Sequence, residues 1–190
     1  IKPICDWIIA LLAFPFFFFF WIIVAIAIKL EDGGPVFYMA ARIGKDSKKL
    51  MMYKFRSMKV NAENILNADG STYNAKDDPR VTKVGKFLRE TSLDETAQLL
   101  NMLKGEMSLI GPRASGWTAL ESYQPDEIDK MKVRPGITGY TQAYYRNSIG
   151  VRDKRLKDAW YANNISLWLD IKIFFKTVVT VLKHDNVYTN

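Results

Sequence analysis

The feature that most constrains this 190-residue chain is a run of 22 residues without a charged side chain, from Trp7 to Ile28. The run includes five consecutive phenylalanines at 16–20. At about 1.5 Å per residue it forms a helix roughly 33 Å long, which is enough to cross the hydrocarbon core of a bilayer. A buried helix of a soluble domain usually keeps a polar face, and this run has none. We therefore expect residues 1–32 to form a membrane-embedded segment.

The path of this helix through the membrane has two interpretations. Pro15 removes a helical hydrogen bond and is expected to kink the helix. Charged residues flank the run on both sides, with Lys2 and Asp6 before it and Lys29 after it. The residues alone leave a spanning helix and a re-entrant helix equally open. The basic region that follows, residues 33–190, is expected on the cytoplasmic side by the positive-inside rule.

Charge and composition restrict the partners of the remaining chain. The formal net charge is +7, and the first 29 residues contribute only Lys2, Lys29 and Asp6 to it. The excess positive charge therefore lies in the polar region and favours anionic partners such as phosphates and lipid head groups. No RNA-recognition signature is present, so nucleic acid is not expected. The single cysteine, Cys5, excludes an internal disulfide, and the single His184 argues against histidine-based chemistry.

The pattern of the polar region predicts an α+β fold that is mostly helical. Strand-like runs at 36–43 and 50–55 flank the turn residues 44–47, which predicts a short β-hairpin. A polar loop is expected over 69–79, followed by an irregular Gly-Pro-Arg segment at 111–113 and a turn at 134–139. Helices are predicted over 59–68, 92–104, 153–163 and 166–183.

The last of these helices is strongly amphipathic. Large apolar residues such as Trp168, Phe174 and Val178 fall at helical spacing, and Lys172 and Lys176 share the other face. Such a helix either packs into the core or lies on a membrane surface. Packing into the core is the more common case, and we take it as the expectation.

Adjacent acids at Asp94 and Glu95 are the first candidates for chemistry. One interpretation is structural, because acids favour helix N-termini and Ser92 with Glu95 fits a capping box. The other is catalytic, because Asp94 is not needed for the cap and basic residues flank the pair on both sides. Two carboxylates would repel a phosphate unless a hard cation bridges them, which points to Mg²⁺. A carboxylate can also act as a nucleophile at phosphorus.

Basic residues concentrate in one stretch ahead of this pair. Between residues 42 and 59 there are seven basic side chains and one acid, Asp46. Within it, Lys54 and Arg56 alternate with aromatic residues, which would suit a phosphate clamp beside a membrane. A solvated face near anionic lipid is the alternative. The sequence contains no Walker A loop, dinucleotide fingerprint or Cys/His metal set.

Several short motifs carry a family resemblance when they are taken in order. They are Gly34–Phe37, Arg42–Lys45, Tyr53–Met58, Asp78–Gly85, Ser92–Glu95, Lys104–Arg113 and Arg134–Gly139. Together they closely resemble the bacterial sugar transferase family, the monotopic phosphoglycosyl transferases. The chain departs from the family pattern at Phe14, where members usually have Ser before Pro15, and at Ala114, where they usually have Pro after Gly-Pro-Arg.

The resemblance implies a re-entrant membrane helix over 1–32 and a catalytic domain over 33–190 at the cytoplasmic face of the bacterial inner membrane. This domain would contain the short β-hairpin and amphipathic surface helices. It also implies a Mg²⁺-dependent ping-pong reaction. Asp94 would attack the β-phosphate of a UDP-sugar and release UMP, and undecaprenyl phosphate would then take the sugar phosphate from the aspartate. Glu95 would assist as a metal or proton partner.

The resemblance further assigns residues and partners. Arg113, Lys59 and Arg89 would neutralise phosphate, together with Arg56 of the basic stretch, and Asp158 would be a weaker candidate for the sugar or metal site. The chain is similar to the minimal members that begin bacterial N-linked glycan assembly by transferring N,N′-diacetylbacillosamine-1-phosphate. Inner-leaflet lipid and downstream glycosyltransferases are the expected partners.

Two other functions stay open from the sequence. The chain could hydrolyse the same substrates with water as acceptor, or it could be a membrane scaffold whose basic face holds lipid or a partner enzyme. The scaffold interpretation predicts that Asp94→Asn changes nothing.

Overall fold

The computed structural model describes residues 2–63, 65, 67, 73 and 75–183, so His184 lies outside the described part. The fold class is α+β and mostly helical, as predicted. The helices are α1 (Lys2–Asp32), α2 (Lys83–Glu90), α3 (Leu99–Leu103), α4 (Tyr140–Tyr144), α5 (Val151–Asn163) and α6 (Leu167–Leu182). The strands are β1 (Phe37–Ile43), β2 (Lys49–Phe55), β3 (Ser108–Ile110) and β4 (Gly136–Thr138). Short 3₁₀ helices lie at Lys45–Ser47, Leu93–Gln98, Trp117–Ser122 and Ile128–Lys132.

The predicted β-hairpin is confirmed. β1 and β2 pair antiparallel, in a register that sets Phe37 opposite Phe55 and Ile43 opposite Lys49. Leu50, Met52 and Phe55 of β2 are buried, and Phe55 is 1% exposed. Its ring meets Trp21 of α1 edge to face, with the ring centroids 5.9 Å apart. The hairpin is therefore anchored on the N-terminal helix.

A second, smaller sheet lies where the sequence pattern predicts a turn. β3 and β4 pair in parallel, with Ser108 opposite Gly136 and Ile110 opposite Thr138. A Cβ atom at Gly136 would come within 2.1 Å of the backbone nitrogen of Gly111, so only glycine permits this close approach. The pairing fixes the irregular segment that follows β3 and carries Arg113.

One face of α1 belongs to the same core as the rest of the chain. The helical assignment runs through Pro15, and the buried positions are Asp6, Ala10, Trp21, Val24 and Ile28. Its other faces leave large apolar side chains exposed, and the helix is long and apolar enough to cross a membrane. The predicted boundary at residue 32 coincides with the end of α1, although the two sides of that boundary share one hydrophobic core.

Both ends of α1 are tied to the polar part of the chain. Near the start, the buried carboxylate of Asp6 accepts hydrogen bonds from Ser108 Oγ at 2.7 Å and from the backbone N–H of Leu109 at 3.1 Å. Near the end, the Glu31 carboxylate accepts from the first two backbone N–H groups of α2, at 2.6 and 3.1 Å. Asp32 pairs with Arg56. The helix therefore lies along the domain and does not extend away from it.

The predicted capping box at Ser92 is wrong. Ser92 adopts a left-handed conformation with φ 57°, and its side chain makes no capping hydrogen bond. A 3₁₀ helix (Leu93–Gln98) follows and continues into α3, so the single helix predicted over 92–104 is divided in two. Of the helix predicted over 59–68, none of the described residues is helical, and Asn64, Leu66 and Ala68 lie outside the described part.

The expectation that α6 packs into the core is wrong as well. Only Ile173 and Thr180 of this helix are buried, while Leu167, Phe175 and Leu182 are between 64% and 77% exposed. The helix packs mainly on α4 and turns a continuous apolar face outward. A face of this kind is typical of a helix that lies on a membrane surface.

The hydrogen bonds of Asp6 near the start of α1 predict that this residue contributes to the free energy of unfolding. Asp6→Ala would leave the partly buried Leu109 N–H without an acceptor and the Ser108 hydroxyl with only the Ile110 carbonyl, which should cost about 1–3 kcal/mol. We expect the melting temperature of the lipid-reconstituted protein to fall by several degrees. Cys5→Ala, at the adjacent exposed position, is the control and should not change it. Equal melting temperatures for Asp6→Ala and wild type would contradict this role.

Candidate active site

The acid pair lies on the 3₁₀ helix that follows α2. The left-handed turn at Ser92 is held by Arg146, which donates to its hydroxyl at 3.1 Å. The membrane helix contacts the same element, because Trp21 Nε1 donates to Thr96 Oγ1 at 3.2 Å. Asp94 is therefore fixed beside the helix that is expected to lie in lipid.

The two carboxylates share one cation. Lys54 Nζ lies 2.6 Å from Glu95 Oε1 and 3.8 Å from Asp94 Oδ2. Asp94 is 8% exposed. The Lys54 side chain comes from β2, so the hairpin and the 3₁₀ helix meet at this point. The pairing of Glu95 with Lys54, and not with the backbone at Ser92, excludes the capping interpretation of the acid pair.

Asp94 and Glu95 differ in pKa because their surroundings differ. Burial, together with repulsion from Glu95, raises the pKa of Asp94 to about 6, although Lys54 and Arg89 oppose the shift. Burial also acts on Glu95, but Lys54 and Arg113 outweigh it and hold the pKa of Glu95 below its usual value. Glu95 is thus the permanent anion, and Asp94 is the more basic carboxylate of the pair.

A cleft of about 880 Å³ opens over Asp94 and Glu95. Among the described residues, nine basic and three acidic side chains line it, which favours an anionic ligand. The basic residues are Arg42, Lys54, Arg56, Lys59, Arg80, Arg89, Arg113, Arg146 and Lys154.

One wall of the cleft is apolar. Phe174, Val178 and Val181 of α6 line it, together with Ile137 from β4. The same helix exposes its outer apolar face. The acid pair and the apolar side chains of α6 therefore line the same cleft.

Arg113, Arg89 and Lys59 are three of the four predicted phosphate ligands that line this cleft, and Arg56 is the fourth. Arg113 Nη1 lies 4.0 Å from Glu95 Oε1, and half of the Arg113 side chain is exposed. Arg89 donates from Nε to Ser57 Oγ at 3.1 Å. Lys59 is exposed on the segment that follows the hairpin.

The structure assigns different contacts to the other two candidates. Arg56 is buried, and its guanidinium is committed to Asp32 and to the carbonyls of Pro35 and Met58. Because a phosphate would have to displace these partners, Arg56 is better explained as the anchor of the end of α1. Asp158 is fully buried behind the cleft and does not line it.

Asp158 instead supports Arg113. Its carboxylate accepts from the Arg113 backbone N–H at 3.0 Å, from Lys130 Nζ at 3.2 Å and from Thr141 Oγ1 at 2.8 Å. These three bonds satisfy a buried charge. Asp158 therefore positions the loop of Arg113 and is not placed to bind a sugar or metal.

Sequence reasoning missed several residues that the fold brings to the site. Lys54 was one of seven similar bases. Arg42 lies in a short motif and Arg146 in none, and neither position shows where the side chain points. Gln142 donates from Nε2 to the Ile137 carbonyl at 2.9 Å, and its Oε1 is buried in the cleft wall with no partner among the described residues. The aromatic residues that alternate with Lys54 were the only signal for any of them.

The sequence of this chain matches the model of one protein family, described as bacterial sugar transferase, over residues 1–184. The chain belongs to the bacterial sugar transferase family. An undecaprenyl-phosphate galactose phosphotransferase from Salmonella typhimurium is 41% identical over 83% of the chain, and a UDP-glucose:undecaprenyl-phosphate glucose-1-phosphate transferase from Escherichia coli is 42% identical over 82%.

The relatives differ in length. The chain spans 36% of the Salmonella protein and 34% of the Escherichia coli protein. It spans 84% of the exopolysaccharide production protein PSS from Rhizobium leguminosarum, which is 38% identical over 84% of the chain. The matched region is therefore a minor part of the two longer proteins and most of the Rhizobium protein.

The raised pKa of Asp94 predicts that removing its charge stabilises the metal-free protein. An unfolded aspartate has a pKa of about 4, so wild type loses stability as pH rises from about 4 to about 6 and stays lower above that. Asp94→Asn avoids this cost, which is up to about 3 kcal/mol. In EDTA at pH 7.5 we expect its melting temperature to exceed that of wild type by several degrees.

The difference in melting temperature between Asp94→Asn and wild type should shrink towards zero near pH 4. Asp46→Asn, which removes an exposed acid at the hairpin turn, is the matched control and should show no such pH dependence. A lower melting temperature for Asp94→Asn at pH 7.5 would show that the charged form of Asp94 stabilises the fold.

Proposed function

We propose that this chain transfers a sugar-1-phosphate from a UDP-sugar to undecaprenyl phosphate, through a covalent phosphosugar on Asp94. The observation that carries the proposal is the buried Asp94–Glu95 pair, bridged by Lys54 at the floor of a basic cleft. The names of the relatives support the two substrates, since they specify galactose or glucose as the sugar and undecaprenyl phosphate as the carrier.

In the first step, an ionised Asp94 oxygen attacks the β-phosphorus of the donor. A bond forms between Asp94 and phosphorus, and the bond from that phosphorus to the bridging oxygen breaks. UMP leaves with the bonding electron pair. Asp94 suits this role better than Glu95, because its higher pKa makes it the stronger nucleophile while it is still ionised near neutral pH.

In the second step, a phosphate oxygen of undecaprenyl phosphate attacks the same phosphorus. The bond to Asp94 breaks, and the carboxylate returns to its starting state. The product is undecaprenyl-diphosphate-sugar. Arg113, Arg89 and Lys59 neutralise the charge that accumulates on the phosphate oxygens in both steps.

We propose that the acid pair binds Mg²⁺. Lys54 already places a positive charge between the two carboxylates, so the site accommodates a cation. The described residues contain no group of three or more potential metal ligands, and Mg²⁺ commonly binds one or two carboxylates together with substrate phosphates. Glu95 and Asp94 would hold the ion, which would offset the negative charge of the diphosphate.

The packing of α1 supports a monotopic arrangement at the cytoplasmic face of the inner membrane. A helix that crosses a bilayer carries its ends to opposite faces, whereas Asp6 and Glu31 both contact the same domain. We infer that α1 enters and leaves from one face. Its exposed apolar side chains and those of α6 would then contact inner-leaflet lipid.

The biological role extends the proposal. The relatives' names include galactose, N-acetylgalactosamine and glucose, so they do not single out one sugar for this chain. A role in the first membrane step of glycoconjugate assembly, including N-linked glycans, and a link to downstream glycosyltransferases both stay predictions. UDP-N,N′-diacetylbacillosamine should therefore be among the UDP-sugars that are tested as donors.

The direct test is UMP release from a panel of UDP-sugars, with undecaprenyl phosphate and Mg²⁺, by the protein in lipid nanodiscs. We expect release by wild type with at least one donor, and a loss on the order of 10³-fold in Asp94→Asn. Asp46→Asn should behave as wild type. EDTA should stop the reaction, and added Mg²⁺ should restore it.

A reaction without undecaprenyl phosphate, the acceptor, distinguishes a transferase from a phosphohydrolase. A transferase with a covalent intermediate releases at most about one UMP per chain and then stops. Continuous release without undecaprenyl phosphate would instead indicate a phosphohydrolase. Absence of release from every donor, by folded protein, would contradict the enzymatic proposal and favour the scaffold.

The topology has its own test, because the sequence contains a single cysteine, Cys5, near the start of α1. A membrane-impermeant maleimide should label it in inverted vesicles and not in intact spheroplasts. Lys48→Cys in a Cys5→Ser background, on the exposed hairpin, marks the side of the catalytic domain and should show the same pattern. Labelling of the two positions from opposite sides would show that α1 spans the membrane.

A further inference from the structure

Arg42 occupies a rigid position at the edge of the cleft. It lies in β1 opposite Leu50. Its backbone also bridges to Gly116, and the next residue, Ile43, donates to the Ser115 carbonyl at 2.9 Å. The loop that carries Arg113 is therefore held against the end of β1, which brings the two arginines to the same wall.

The Arg42 side chain has an unsatisfied donor in this wall. Its Nε is buried and has no acceptor among the residues that the structure describes. A buried N–H without an acceptor costs free energy, so such groups are rare unless a ligand or water completes them. The atom belongs to a residue that lines the cleft, which makes a bound ligand the natural acceptor.

Arg155 is an example of an arginine with a structural role in this fold. Arg155 Nε is also buried without a partner, but its guanidinium stacks on the Tyr123 ring at 4.0 Å and binds the Glu127 carboxylate at 3.3 Å. It does not line the cleft. Arg42 makes no ion pair of this kind with the described residues.

The charge of Arg113 acts unfavourably on Arg42, although Tyr38 and Glu95 act in its favour. Burial, and then repulsion from Arg113, lowers the pKa of Arg42. Arg113 itself lies 4.0 Å from Glu95 and leaves half of its side chain exposed to the cleft. Two guanidinium groups on one wall are stabilised when an anion binds between them.

We propose that Arg42 and Arg113 form a two-guanidinium clamp for the diphosphate of the donor nucleotide, with Arg42 Nε as one of its donors. The proposal rests on the proposed function and adds the residue that binds the donor opposite the acid pair. A phosphate group suits the clamp, because its oxygens match the planar fork of donors that a guanidinium presents. The ammonium of a lysine lacks this geometry.

The test is equilibrium binding of uridine, UMP and UDP to the full chain in nanodiscs, by calorimetry. We expect Arg42→Met to weaken UDP binding about 10- to 100-fold, in line with the loss of one or two charge-assisted hydrogen bonds. Uridine binding should not change. Arg42→Lys should lie between wild type and Arg42→Met, and the matched control Lys48→Met, which removes an exposed charge of the same hairpin, should bind UDP as wild type does.

Melting temperatures separate a clamp from a structural role. Because Arg42→Met removes a buried unsatisfied donor, the ligand-free protein should melt no lower than wild type, while the stabilisation by UDP should be lost. A lower ligand-free melting temperature with normal UDP binding would overturn the proposal. So would an equal loss of uridine and UDP affinity.

Failure of the clamp and failure of the proposed function give different results. If wild type releases UMP but Arg42→Met binds UDP normally, only the clamp is wrong. If Arg42→Met loses UDP affinity but wild type releases no UMP from any donor, the clamp stands and the transferase proposal fails. A wild type that binds no UDP would contradict both.

Discussion

The contact between the membrane helix and the polar domain is the interaction on which the rest of the structure depends. A helix with so long an uncharged central run would be expected to leave the domain, yet Asp6 and Glu31 bind its two ends to β3 and α2. Between them, Trp21 reaches the 3₁₀ helix of the acid pair. The carboxylates of the acid pair are thereby held beside the helix that is expected to lie in lipid. This placement suits the proposed reaction, in which a soluble nucleotide sugar and a lipid phosphate meet at the membrane surface.

Electrostatics then give two adjacent acids different properties. Lys54 lies closer to Glu95 than to Asp94, and the nearby cations outweigh burial at Glu95 but not at Asp94. As a result, one carboxylate remains charged over the physiological range and the other keeps enough basicity to attack phosphorus. In the proposed reaction the surrounding arginines act on phosphate oxygens. Asp158 and Arg56, which were predicted from the sequence as site residues, instead hold the loop of Arg113 and the end of α1 in place.

The sequence was informative where local patterns decide the structure. Alternating residues around Gly44 predicted the hairpin, and the uncharged run predicted α1. It failed where distant segments compete for a side chain. Glu95 fits a capping box until Lys54 from the hairpin takes its carboxylate, and Ser92 bonds to Arg146. The apolar face of α6 shows the same limit, because periodicity reports that a face is apolar but not whether protein or lipid covers it.

The most direct test of the account is the mass of the intact protein after brief incubation with a productive UDP-sugar in the absence of acceptor. The account predicts the addition of one sugar phosphate, located on Asp94 by peptide mapping and removed when undecaprenyl phosphate is added. An unmodified protein that still transfers sugar phosphate, or an adduct on Glu95, would contradict the assignment of Asp94 as the nucleophile.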